Sequence, residues 1–334
     1  MNYTRLSTSS INPRNPFKPF VEVSSTSALT RLPYLGSLFL LASSDSFRWQ
    51  SKARRILTPL LHFQVNSWGR EEPAVKLEII ARKPANQKHK TPLLFVHGMW
   101  HGAWCWDEFF LPFFAEAGWH VAAVSLRGHA GSGGKIQGSG IMDYVRDVEA
   151  AAKTLPTPPA LIGHSMGGFI VQKFLERNPA PAGVLLASNP PYGLWHPTWL
   201  VFKHSPLTLL KVMTQLRLAP VVETPEHTRW AFFSEDFPQD QLLKYHAKLN
   251  DESFRMYMDL LGLNLAHPKK VKTPLLVLGA EKDTVIPLVD VHKTARAYNT
   301  AAEIFPDMAH DMMLEQGWRS VAERIDKWLG EKGL

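Results

Sequence analysis

Residues Gly163-His164-Ser165-Met166-Gly167 fit the pattern G-x-S-x-G. That pattern suits a sharp turn from a strand into a helix, with the serine hydroxyl exposed and the glycines letting neighbouring backbone come close. The flanks agree. Ala160-Leu161-Ile162 reads as a buried strand and Phe169-Ile170-Val171 as part of an apolar helix. A Gly-rich phosphate turn is the bland alternative, but no lysine stands where such a loop needs one. A serine hydroxyl is a poor nucleophile at neutral pH and needs a base. For a nucleophile on this kind of turn, an acid and then a histidine follow in chain order. Asp283 lies just after the apolar run Leu275–Leu278, with Glu281, Asp290 and Asp307 less well placed. His310 lies in the segment after Ala302–Phe305. The expected roles are Ser165 as nucleophile, His310 as its base, and Asp283 as the group that orients the imidazole and stabilises its charged form.

Negative charge that develops on a substrate oxygen needs preset donors. The backbone N–H of Met166 is one candidate, at the start of a helix where the dipole helps. The other is the N–H of Met99 in the loop His97-Gly98-Met99-Trp100-His101-Gly102, with Trp100 as the alternative. The Trp100 and His164 side chains are expected to touch the substrate. Cys105, between Trp104 and Trp106, reads as a small buried residue. A single cysteine leaves no disulfide framework and no multi-thiolate zinc site. The fourteen histidines are scattered without an H-E-x-x-H pattern, so no metal is expected.

The net charge of +7 falls wholly within residues 1–70, where nine Lys and Arg face only Glu22 and Asp45. A basic end on a neutral body does not describe a nucleic-acid-binding face. Residues 1–70 are rich in Ser and Thr and dotted with Arg, a composition that fits a chloroplast or mitochondrial transit peptide. A loosely docked or disordered tail is the alternative, which would leave the protein cytoplasmic. The apolar run Leu35–Ala42 is too short to span a bilayer, which takes about 20 apolar residues.

The elements that must position these residues are legible from about Val75. Strands are expected at Val75–Arg82, Pro92–Val96, Trp119–Leu126, Ala160–Gly163, Gly183–Ala187, Leu275–Leu278 and Ala302–Phe305. Helices are expected over 104–117, Ile141–Leu155, Met166–Asn178, Val289–Tyr298 and Gly317–Leu329. Such alternation implies crossovers and a mostly parallel sheet flanked by helices. It stops between residues 190 and 268, an aromatic-rich stretch that reads as an inserted helical cap. The division is therefore a basic extension over 1–70, a core over 71–189 and 269–334, and a cap over 190–268.

Taken together, His97-Gly98, the Gly163–Gly167 turn, Asp283 and His310 resemble the α/β-hydrolase superfamily over roughly residues 75–332. The stretch His97–Trp106 is similar to the opening loop of plant methylesterases and hydroxynitrile lyases. The cap resembles the lid of monoacylglycerol-lipase-like and lysophospholipase-like members. Two positions depart from the family's pattern: Ser125 replaces the usual Asp, and Ala130 the usual Gly. The resemblance implies hydrolysis of a carboxylic ester through an acyl-enzyme, without an organic cofactor. The apolar, Met-bearing cap points to a hydrophobic acyl group, a small-molecule ester or lipid substrate, and peripheral contact with a membrane. Two alternatives stay open: a C–C bond hydrolase or lyase using the same serine and histidine, and a non-catalytic ligand-binding homologue.

Overall fold

The computed structural model describes residues 75–334. The targeting expectation and the apolar run Leu35–Ala42 lie outside the described residues.

Seven strands form one sheet: β1 (Ile79–Arg82), β2 (Leu93–Val96), β3 (Val121–Val124), β4 (Ala160–His164), β5 (Gly183–Leu186), β6 (Leu275–Ala280) and β7 (Ala302–Phe305). Their order is β1-β3-β2-β4-β5-β6-β7. β1 runs antiparallel to β3 and every other pairing is parallel. The five inner strands are buried along their whole length, as continuous apolar runs covered on both faces must be. Leu93, Leu94, Phe95 and Val96 expose nothing, and burial of side chains of this size contributes about 1.5–3 kcal/mol each.

The helices before the cap are α1 (Trp104–Asp107), α2 (Phe110–Ala117), α3 (Ile141–Ala152) and α4 (Met166–Leu175). The single helix expected over 104–117 is two. Phe109 leaves helical geometry at φ −137° and stacks on Trp318 with ring centroids 4.8 Å apart, which breaks the run. The first strand begins at Ile79, four residues later than its alternation suggests. Between β5 and β6 the chain forms α5 (Trp195–His204), α6 (Pro206–Gln215), α7 (Pro225–Phe232), α8 (Gln239–His246) and α9 (Phe254–Met258), with short 3-10 and π turns and no named strand. After β6 come α10 (Leu288–Ala297) and α11 (Trp318–Glu331).

Parallel register brings the carboxyl ends of the strands to one edge. Val96 pairs with Gly163, His164 with Leu186, and Ala280 with Phe305. The loops carrying Met99, Ser165, Asn189, Asp283 and His310 therefore all leave from that edge, where ligands of open α/β sheets bind.

Two buried links tie the cap to the core. Glu252 accepts from Tyr144 Oη at 2.7 Å and lies 3.2 Å from His129 Nε2, and the Asn250 N–H donates to the Trp100 carbonyl at 2.7 Å. Ser125, standing where the family usually has Asp, donates to Glu78 at 2.5 Å and accepts from the Ala103 N–H at 2.8 Å. A carboxylate borrowed from the chain just before β1 thus backs the hydroxyl. Ala130 takes φ +45°, the conformation for which Gly is the easier residue, and its N–H donates to Asn250 Oδ1 at 3.0 Å.

Candidate active site

Ser165 caps α4 with φ +52° and ψ −119°, a backbone conformation that costs energy in a residue with a side chain. The surroundings enforce it. A Cβ added to Gly98 would lie 3.0 Å from the Ser165 Cβ, and one added to Gly167 would run into the Val96 and His97 carbonyl oxygens. The end of β2 and the turn after β4 are thus packed backbone to backbone. The Met99 and Met166 N–H groups donate to no acceptor among the described residues and remain available to a ligand.

His310 and Asp283 meet as their types suggest. His310 Nδ1 lies 2.7 Å from Asp283 Oδ2. The carboxylate can only accept, so Nδ1 carries the hydrogen, and in the neutral ring Nε2 keeps its lone pair. Asp283 Oδ1 accepts from the Val285 and Ile286 N–H groups, each at 2.8 Å. Asp283 is therefore a turn-former and the partner of the histidine at once. Burial acts to depress His310, but the charge and hydrogen bond of Asp283 outweigh it and hold the imidazole above its ordinary value. The other carboxyls are engaged elsewhere. Glu281 accepts from the Asp307 N–H at 3.1 Å, Asp307 pairs with Lys282 at 2.8 Å, and Asp290 pairs with His196 at 2.8 Å.

The Ser165 hydroxyl is hydrogen-bonded to Asn189 Oδ1, at a long 3.5 Å, and not to His310. Loose nucleophile–base geometry is common before substrate binds. Asn189 also donates its N–H to the Ser165 carbonyl at 3.1 Å. Sequence reasoning missed it; the signal was its place just after β5, at the strand edge that carries the other loops.

His164, expected to touch the substrate, is buried at the end of β4 and is not among the residues that line the cavity at Ser165. Its Nε2 donates to the His310 carbonyl at 3.0 Å. Burial, with the neighbouring His310, pushes it down to about 3. Behind it lies a buried pair that the sequence did not announce: His101 Nε2 is 2.9 Å from Asp311 Oδ2, and His101 Nδ1 is 2.7 Å from the Met99 carbonyl. Both ring nitrogens of His101 are thereby engaged, tying Asp311 to the Met99 backbone. Burial would raise Asp311, but His101 beside it holds the carboxyl below its usual range. The Asp311 N–H donates to the Phe232 carbonyl of α7 at 2.9 Å, extending the network into the cap.

Trp100 sits at φ +65° and donates Nε1 to the Leu218 carbonyl at 3.2 Å. It lines a cavity of about 70 Å³ with Met99, Ser165, Asn189, Leu194, Pro197, Thr198, Val201, Leu209, Val212, Leu218, Val221, Ala231, Tyr257 and Val285. No charged side chain is among them. A larger groove of about 720 Å³ runs past Glu226, Arg229, Glu235, Asp236 and Lys282, but none of Ser165, Asp283 and His310 lines it. Cys105 is buried and its thiol is pushed well up by that burial, which removes thiolate character. No group of three or more potential metal ligands clusters among the described residues.

The model of the alpha/beta hydrolase family matches residues 93–324. Over 235 residues the chain is 27% identical to a monoacylglycerol lipase of Mycolicibacterium smegmatis, covering 65% of this chain and 80% of that one. Over 248 residues it is 25% identical to a non-heme chloroperoxidase of Burkholderia pyrrocinia, covering 68% and 87%. Among solved structures, a monoacylglycerol lipase of Paleococcus ferrophilus superposes with a TM-score of 0.59 at 18% identity, over 76% of this chain and 99% of that one, a likeness of fold.

Proposed function

This chain belongs to the alpha/beta hydrolase family, and from that premise we propose that it hydrolyses carboxylic esters of apolar acyl groups through Ser165, His310 and Asp283. The observation that carries the reading is the 2.7 Å Asp283–His310 hydrogen bond, next to an uncharged cavity that reaches Ser165. Relatives named as a lipase support ester cleavage in general.

In this reading the substrate carbonyl enters between Ser165 and the Met99 loop. A rotation of the serine side chain away from Asn189 brings the hydroxyl to His310 Nε2, which takes the proton as Oγ attacks. The Met99 and Met166 amides, preset and unpaired, receive the negative oxygen. His310 then protonates the leaving alcohol, and Asp283 stabilises the imidazolium throughout. Water attacks the acyl-enzyme by the same path in reverse. Trp100 closes one wall of the acyl cavity, and the lack of charge there disfavours acidic or basic acyl groups.

The test is labelling by a fluorophosphonate probe, read by peptide mass spectrometry, on the full chain and on Ser165→Ala, followed by turnover of neutral esters of increasing acyl length. Labelling at Ser165 that vanishes in the variant is expected. A folded native protein that neither labels nor cleaves any ester would overturn the reading.

A further inference from the structure

Helices α5 and α6 are apolar on two opposite sides. Their inner sides supply Val201, Leu209 and Val212 to the Ser165 cavity. Their outer sides present Trp195, Trp199, Phe202, Leu207, Leu210 and Met213 to solvent, with Trp195 67% and Leu207 72% exposed. Of the eleven large apolar side chains left exposed among the described residues, eight lie between Tyr192 and Leu216. Scattered exposed apolar groups are ordinary, but a contiguous set marks a surface that something covers. A helix that is apolar all round belongs in a core or against lipid.

Charge narrows the choice of partner. From Tyr192 to Val222 the chain contains Lys203, Lys211 and Arg217 and no Asp or Glu. The acids that reach this stretch come from outside it and are already paired: Glu223 with Lys211, Asp251 with Arg217, Asp290 with His196. Lys203, in the last turn of α5, has no ion pair among the described residues. A second copy packed on this face by two-fold symmetry would bring no Asp or Glu of the same stretch to Lys203. Indole rings and lysine stems suit a boundary that is apolar on one side and anionic on the other. No described helix is long and apolar enough to cross a membrane, so the face would lie on the surface.

We propose that the outer face of α5 and α6 is the surface by which this protein rests on an anionic lipid bilayer. Its grounds are independent of the ester-cleavage reading. Because the same two helices line the Ser165 cavity, one helix thickness, about 10 Å, separates the lipid from the acyl site. Docking there also covers apolar area that is otherwise left in water.

The experiment is co-sedimentation of the full chain with phosphatidylcholine vesicles, with and without phosphatidylglycerol, beside the triple variant Trp199→Ser/Leu207→Ser/Leu210→Ser. All three side chains are exposed and none lines the cavity, so folding and turnover of a soluble short-chain ester should stay as in the native chain. Expected are binding that rises with phosphatidylglycerol, and binding on the order of tenfold weaker in the variant. Absence of native binding, binding unchanged in the variant, or a native dimer that the variant dissolves would each overturn the proposal. Sedimentation of Ser165→Ala separates the two readings. Vesicle binding without any ester turnover would sink only the hydrolase reading, and turnover without vesicle binding only this one.

Discussion

Asp311, the residue that follows His310, is held 2.9 Å from His101, two residues beyond Met99. The loop that carries the candidate base and the loop that carries a candidate oxyanion donor are thereby joined by one buried contact. Asp311→Asn keeps the shape and removes the charge. It is expected to cost about 1–3 kcal/mol in urea unfolding, and to lower kcat more than it raises KM, because alignment rather than binding is lost. A double-mutant cycle with His101→Asn should show coupling of at least about 0.5 kcal/mol. Strict additivity, with kinetics unchanged, would remove Asp311 from any positioning role.

Asp283→Asn addresses the histidine itself. An amide that offers N–H to Nδ1 puts the ring in the wrong tautomer, and kcat is expected to fall about 10⁴-fold. The sign of the pH effect follows from the direction of the shift. His310 is held above its ordinary value, so it is protonated and inactive as a base up to a higher pH than a free histidine. The acid limb of kcat/KM should therefore lie above about pH 6.5 and move down in any residual activity of the variant. A limb below that value in the native enzyme would contradict the pairing.

The cavity offers a size test. Val201 and Leu209 line it from the cap. Val201→Phe should reduce kcat/KM for longer acyl esters by about tenfold relative to acetyl esters, and Leu209→Ala should shift the ratio the other way. Identical chain-length profiles in all three proteins would place the acyl group elsewhere.

The Glu252–His129 pair allows a stability prediction. Burial would depress His129, but Glu252 reverses the effect and raises it. A raised folded value means the pair's stabilisation is fully present below the unfolded histidine value of about 6.5, and is lost as pH rises through the folded value. Glu252→Gln should therefore destabilise by roughly 3 kcal/mol on the acid side, with the gap narrowing at alkaline pH. Chemical denaturation of both proteins across that range measures it. A gap that widens with pH would reverse the assignment.

Much of the frame was readable from local pattern. The inner strands are short apolar runs between turns, and each appears close to where its run lies; β1 starts late and the 104–117 helix splits at Phe109, which turns to stack on Trp318. That ring comes from more than 200 positions away, and no periodicity reports it. No local pattern reports that His164, expected at the substrate, holds the His310 carbonyl at 3.0 Å and lies 3.8 Å from Asp311. Asn189 and the His101–Asp311 pair carried no motif at all.

The sequence by itself determined which residue types end each strand, and hence that Ser165, Asp283 and His310 could share one edge of a parallel sheet. Only the tertiary structure decided their partners: Asp283 Oδ2 on His310, Asn189 on the Ser165 hydroxyl, Asp311 on His101, and the Leu218 carbonyl on Trp100. The reason is physical. Turns and runs are fixed by interactions within a few residues, which spacing records. A contact between residues 101 and 311 depends instead on strand register and on how the cap packs, and those are set by the whole core at once.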